Sequence, residues 1–276
     1  MKILTLIMQT FRELVMRATL IVLLGISSII LIGLALALSS STTDQGTTLL
    51  IFGLPATPPI PQADFESVVL PLESSLAGGL ITGIVLLGIF ATAGIIPDAL
   101  EKGSIDLYIS KPLARWEFLL GKFAGAVAVI GANTAYFITL AWLIVGLRLG
   151  VWDSAFLMSI LTITCMFAYI YAMVLFLGLL SRSSALTIIV VFVYLFVIAE
   201  MLEGREGFLY RFVTSQGMRA AIDTMYYILP QIPAVRNAVI KQIAHQTMDW
   251  VPFAQSFATA GALYLFGTYL FTKRDL

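Results

Sequence analysis

The sequence predicts an all-α polytopic membrane protein with six transmembrane helices, and three observations carry that reading. Of 276 residues, 59% are hydrophobic and 12% charged, against roughly 25% charged in soluble domains. The apolar residues gather into runs of the ~20 residues that cross a hydrocarbon core as a helix. Lys and Arg are shared unevenly among the connecting segments, the bias that orients membrane proteins. Three further parts are expected within one domain over 1–276. They are an N-terminal interfacial helix, a short cytoplasmic helix between spans two and three, and an outer re-entrant or interfacial segment before span six.

In residues 2–17, Ile3, Ile7, Phe11, Leu14 and Ala18 recur at three- and four-residue steps, with Lys2, Gln9, Arg12, Glu13 and Arg17 mostly between them. This is the pattern of an amphipathic helix lying in the membrane interface; a frayed extension of the first span is the plainer alternative. The apolar run that follows is too long for the core of a cleavable signal peptide. Span one is expected at about 18–38. Residues 39–75 contain no Lys or Arg and half of the ten prolines, so they should face away from the cytoplasm as an extended spacer. A substrate-gating loop is the rival reading.

Span two is expected at about 75–96, with Gly79 and Gly83 as a small-xxx-small pair that lets helices approach, and Pro97 as its stop. Spans three to six are expected at about 119–147, 154–180, 185–202 and 253–271. Span three repeats the small-residue spacing at Gly121, Gly125 and Ala128. A tight turn at 181–184 joins spans four and five. The stretch 203–252 mixes charges, aromatics and three prolines, which suits one or two interfacial or re-entrant helices.

With both termini inside, ten of the sixteen Lys and Arg fall on the inner side and six on the outer. Five of those six lie in 203–252, where Arg can snorkel to headgroups. Trp116, Trp142, Trp152 and Trp250 fall near predicted span ends, as an aromatic belt requires. A multi-pass protein of the cell inner (plasma) membrane is the expectation. Equal numbers of acidic and basic residues give no reason to expect a nucleic-acid partner.

Signs of catalysis are sparse. The sequence has no HExxH motif and no phosphate-binding GxxxxGK[ST] loop. Its single Cys165 lies in an apolar run and reads as a small buried side chain, while one histidine, His245, cannot supply paired haem ligands. No metal site is expected. Within the spans, Asn133, Thr134 and Thr162 are candidates for a translocation path, or for helix–helix hydrogen bonds. Glu200 reads as the one carboxylate well inside a span, near its outer end. A charge in lipid is a functional candidate by default, with a structural role equally open.

The charged stretch 97–122, PDALEKGSIDLYISKPLARWEFLLGK, is the most informative. Asp98 can cap a helix after Pro97, with Glu101 at capping-box spacing. Gly103 interrupts, Ile105–Ile109 sets apolar residues around Asp106, Lys111-Pro112 breaks the chain, and Arg115-Trp116-Glu117 starts a helix again. A short helix along the membrane, displaying an apolar and charged face, calls for a protein partner.

The string Glu101-Lys102-Gly103-Ser104-Ile105-Asp106-Leu107-Tyr108, then Ser110-Lys111-Pro112, Arg115 and Leu120-Gly121-Lys122, resembles the loop of ABC-2-type exporter permeases. The N-terminal helix, six spans, outer segment and Arg-Asp-Leu ending agree in layout. The resemblance implies export driven by two separately encoded ABC ATPase subunits, and pairing with a second copy of the chain or a related permease. Its cofactors, ATP and Mg, would act through the partner subunit, with none in this chain. Asp98, Glu101, Lys102, Gly103, Asp106, Lys111, Pro112 and Arg115 would form a coupling helix seated in a groove of the ATPase. Glu101 would tie that loop to the N-terminal helix or to span three. The proline-rich loop 39–75 is longer than the family's minimal pattern. The alternative functions are an ATP-independent carrier and a membrane scaffold subunit of another complex; an intramembrane enzyme is a more distant rival.

Overall fold

The computed structural model describes residues 7, 8, 10, 19–44, 46–100 and 114–273. Helices dominate. In chain order they are α1 (Thr19–Ala37), α2 (Glu66–Thr92), α3 (Ile95–Ala99), α4 (Arg115–Leu149), α5 (Ser154–Ser181) and α6 (Ser184–Glu203). Then follow α7 (Leu209–Phe212), α8 (Gln216–Ile228), α9 (Ile232–Ile243) and α10 (Val251–Lys273).

Among the described residues, five segments are long and apolar enough to cross a membrane: Leu20–Ala37, Gln62–Ala99, Arg115–Leu149, Ser154–Ser181 and Ser184–Glu203. At 1.5 Å per residue, α10 reaches about 34 Å, enough to span. Gln255, Ser256, Thr259 and Tyr264 make it more polar than the other five.

The helices alternate in direction. Leu38 and Leu49 pack with Val145 and Leu149 of α4 at one end of the bundle. Ile96, Phe118, Leu119, Leu175, Leu179 and Phe271 pack together at the other. We call these the sheet end and the loop end. α5 runs through the middle against α2, α4, α9 and α10, burying Phe156, Ile163, Met166, Phe167 and Tyr171. Without a hydrophobic drive inside lipid, close packing and hydrogen bonds hold such helices together. Ser27 Oγ donates to Asn133 Oδ1 at 3.2 Å, and Ser28 Oγ lies 2.9 Å from Tyr136 Oη, fastening α1 to α4.

Several expectations need correction. Span two begins at Glu66, nine residues before the predicted start, and carries Pro71 inside it. As the sixth helical residue, Pro71 forgoes the amide bond to the Ser67 carbonyl, and the helix continues past it at the cost of one intrahelical bond. Pro97 does not stop the helix. The break comes at Ala93-Gly94, and Pro97 lies inside α3, packed over Gly178 of α5. Asp98 is therefore no N-cap: its amide bonds the Gly94 carbonyl at 2.9 Å, and α3 closes at Leu100. Lys122, counted with the charged loop, is buried inside α4 with Nζ 5.9 Å from the Phe118 ring centre.

The proline-rich loop is more ordered than a spacer. Strands β1 (Leu38–Thr43), β2 (Gly46–Ile51) and β3 (Leu54–Pro55) form an antiparallel sheet in that order, with Leu38 opposite Ile51 and Leu50 opposite Pro55. Gly46 has φ 132°, and a Cβ there would strike the Ile60 carbonyl. Only glycine fits. Ser40 Oγ donates to the Arg148 carbonyl at 2.9 Å, tying the sheet to α4.

The stretch 203–252 holds three helices. α8 buries no residue, whereas α9 is wedged into the bundle with Val235, Val239 and Ile243 fully buried. At 12 residues, or about 18 Å, α9 is too short to cross and enters from the sheet end. The middle of α6, Tyr194–Ile198, is π-helical. There Tyr194 Oη donates to the Pro230 carbonyl at 2.6 Å, and Gln231 N donates to Ser256 Oγ at 3.0 Å. These two bonds clamp α6, α9 and α10 together. Of the predicted N-terminal helix, Ile7, Met8 and Thr10 are described and helical; Thr10 packs on Gly125 of α4.

Candidate functional site

At the loop end, both flanks of the charged stretch are anchored. On one side, Ile96, Ala99 and Leu100 rest on Phe118, Leu175, Leu179 and Phe271. On the other, Glu117 Oε2 accepts the Ala114 amide at 3.0 Å and starts α4. Arg115 Nη1 donates to the carbonyls of Phe271 and Thr272 at 2.9 and 3.1 Å. A cation suits the negative end of α10. Arg115 is thus engaged inside the chain, capping the last helix. Glu101, Lys102, Gly103, Asp106, Lys111 and Pro112 lie outside the described residues.

The four predicted pathway residues each have a local partner. Asn133 takes the Ser27 hydroxyl. Thr134 Oγ1 donates to the Ile130 carbonyl and Thr162 Oγ1 to the Ser159 carbonyl, both bonds along their own helix. Glu200 is 43% exposed in its side chain and pairs with Arg236 at 2.8 Å. It lies within the Ser184–Glu203 segment near its end, as expected, and its charge is met by Arg236. Of the four, Asn133 opens on a cleft. A cavity of about 210 Å³ between α1, α2 and α4 is lined by Ser27, Ser75, Gly79, Gly83, Asn133 and Phe137, with other apolar side chains. Gly79 and Gly83 were expected to receive a packed helix. Among the described residues nothing lies within 4 Å of where their Cβ atoms would be.

The sheet end carries two polar clusters that sequence reasoning missed. Around α8, Asp223 Oδ1 accepts from Arg205 Nε at 2.8 Å and Tyr210 Oη at 2.6 Å. Arg205 also stacks on Tyr226, 3.8 Å from the ring centre, and Tyr226 Oη donates to Glu203 at 3.0 Å. The Tyr210 hydroxyl and the Arg205 guanidinium hold the Asp223 carboxyl below its ordinary range. Burial, reinforced by the Glu203 charge, pushes the Tyr226 phenol up to about 12.

The second cluster joins α2 to the start of α5. Asp153 accepts the Ala155 amide at 2.8 Å as N-cap of α5, and His245 Nε2 stands 3.1 Å from the same oxygen, Oδ1. Glu73 is in electrostatic contact with Asp153 and is 0% exposed. Among the described residues neither Glu73 oxygen nor Asp153 Oδ2 has a hydrogen-bond partner. Glu73 was read as part of an outer loop because Pro71 and Glu66 disguise the first turns of α2. The stretch Ser67-Val68-Val69-Leu70, running into Leu72, was the available signal that the helix had already begun.

Alternating apolar helices, a sheet at one end and an embedded short helix define a polytopic membrane protein. The family model described as ABC-2 family transporter protein matches residues 10–276, so the chain belongs to the ABC-2 transporter family. It is a membrane permease of an ABC transporter, in a family whose members are transport subunits rather than catalysts and typically work with ABC ATPase subunits. Comparison with curated proteins finds no match.

Proposed function

We propose that this chain is the membrane subunit of an ATP-driven exporter and that its loop end faces the cytoplasm. The observation that carries this reading is the family match over 10–276. It joins a loop-end geometry in which α3 and Arg115 bring both flanks of the charged stretch onto one packed platform. The absence of Lys and Arg from 39–75 supports an outer sheet end. On this reading the chain crosses six times, with α10 as the sixth span, both termini in the cytoplasm, in the cell inner membrane.

Two cytoplasmic ABC ATPases would bind the coupling segment Asp98, Glu101, Lys102, Gly103, Asp106, Lys111 and Pro112, and would hold the ATP and Mg. A second copy of the chain would complete the permease. The lateral cleft at Ser27, Gly79 and Asn133 is the candidate start of the substrate path, at mid-depth of α1, α2 and α4.

The test is co-purification in mild detergent followed by ATPase assay in liposomes. A stoichiometric soluble protein with Walker motifs, released by Lys111→Glu or Glu101→Ala, is the expected outcome. Arg115 is the wrong residue to reverse, because that change also uncaps α10. If the chain purifies without an ATPase, or if Lys111→Glu retains coupled transport, the reading fails.

A further inference from the structure

We propose that Glu73 and Asp153 form a cation-binding site at the sheet end of the bundle. The site takes up one monovalent positive charge, a proton or an alkali ion, with His245 on its solvent side. This goes beyond the permease reading and does not rest on it.

The argument starts from a deficit. Glu73 is wholly buried in a helix that crosses the membrane, and both its oxygens lack a donor among the described residues. Burying a carboxylate without a counter-charge or hydrogen bonds is among the costliest arrangements a fold can adopt. Its nearest charged neighbours make matters worse. Asp153, at the N-cap of α5, contributes a second carboxyl, and Glu66, two turns earlier on α2, adds repulsion. Two like charges in contact cannot both persist unscreened.

Asp153 offers no relief, because its Oδ1 is already engaged by the Ala155 amide and His245. Three oxygens therefore remain, Glu73 Oε1, Glu73 Oε2 and Asp153 Oδ2, all buried and all without a donor among the described residues. A positive charge satisfies such a set and removes the repulsion between the two carboxyls.

The chemistry also limits the ligand. Among the described residues no three His, Cys, Asp or Glu side chains stand as a metal-binding group. A divalent transition metal would want such a set. One proton shared between the carboxyls, or one alkali ion among carboxylate oxygens, halves the charge of the pair and suits its oxygen donors. Access is supplied by His245. Its side chain is 52% exposed on one face and touches the buried Asp153 on the other. Charge uptake here would bridge α2, which leads to the coupling segment, and α5, the central helix.

The experiment uses the purified full-length protein in detergent. Its unfolding midpoint is measured at constant ionic strength in sodium, potassium and N-methylglucamine chloride. Infrared spectra are recorded in parallel for a carboxylic-acid C=O band. An alkali ion predicts a midpoint higher in sodium or potassium than in N-methylglucamine, with loss of that difference in Glu73→Gln. A proton predicts no salt preference and a carboxylic-acid band present in the wild type and absent in Glu73→Gln.

Asp153→Asn keeps the cap, since Asn is as good at that position as Asp. It must show the same loss should Glu73→Gln not fold. If both variants keep the wild-type salt response and the wild-type band, the proposal is overturned. Transport and ATPase binding do not enter these readouts, so failure here leaves the permease reading untouched, and the reverse.

Discussion

Asp223 and Glu73 are both acids at the sheet end of the bundle, and they are housed in opposite ways. Asp223 is half-exposed and surrounded by donors, with Arg205, Tyr210 and the stacked Tyr226 all contributing to one polar hub. Glu73 is sealed from solvent and faces another acid. A carboxylate that has its donors behaves as a structural pin. One that lacks them is a standing cost unless something arrives from outside. The same residue class thus serves as a fastener in the 204–228 segment and as an acceptor in α2.

That contrast can be tested by the sign of two substitutions. Arg205→Ala removes the donor around which the hub is organised. It is expected to raise the rate of limited proteolysis within 204–228 on the order of tenfold, as local opening becomes easier. Glu73→Leu should do the opposite to overall stability. In N-methylglucamine chloride, where no alkali ion fills the site, replacing the buried acid by a hydrophobe of similar size is expected to be neutral or stabilising by about 1–4 kcal/mol, read as a rise in unfolding midpoint. Destabilisation by Glu73→Leu would mean that the acid already has its counter-charge in the folded chain.

Next in size is the clamp between α6 and α9. Tyr194→Phe deletes the donor to the buried Pro230 carbonyl and should cost about 1–3 kcal/mol, the penalty of a buried group left unpaired. Chemical unfolding in detergent measures it.

Acid and base should then separate the hub from the rest of the molecule. Asp223 has an ordinary value of 3.8 and lies below it in the fold. Its contribution is therefore full above that pH and lost as pH falls through the depressed value. Tyr226 runs the other way. Its contribution is full below its ordinary 10.0 and lost as pH rises toward about 12. Amide exchange over 209–228, followed at both extremes, should open first where these groups change charge. A Tyr226→Phe variant should weaken the basic limb, leaving the part that belongs to Tyr210, and keep the acidic one.

The smallest effect belongs to the Ser27–Asn133 bond at mid-membrane. Asn133→Ala should cost only about 0.6 kcal/mol, typical of hydrogen bonds between helices in lipid, as judged by a double-mutant cycle with Ser27→Ala.

Much of this architecture could be read from sequence. Apolar runs of spanning length located all the long helices, with ends mostly within one or two residues for α1, α5, α6 and α10. The exception is instructive. Glu66, Pro71 and Glu73 in the first two turns of α2 carry the composition of a loop, because hydropathy weighs residues singly. It cannot register that α5 and α9 pack around those turns. The sheet was missed for a related reason. LSSSTT has no apolar alternation, and its order comes from pairing with β2 and from the Ser40 bond to α4. Glu200 falls within its expected span, but its pairing with Arg236 depends on which way the helix faces, and that is not legible in sequence. The lateral position of Arg205 beneath two tyrosines has no local signature at all.

α4 runs 35 residues without a break, about 52 Å at the usual rise. A hydrocarbon core is only ~30 Å thick. Its Arg115 end stands clear of the oil on one side, against the tip of α10, and its Leu149 end stands clear on the other, beneath the sheet. An unbroken helix that outreaches the bilayer at both ends puts Arg115 and the tip of α10 on one side in mechanical continuity with Leu149 and the sheet on the other.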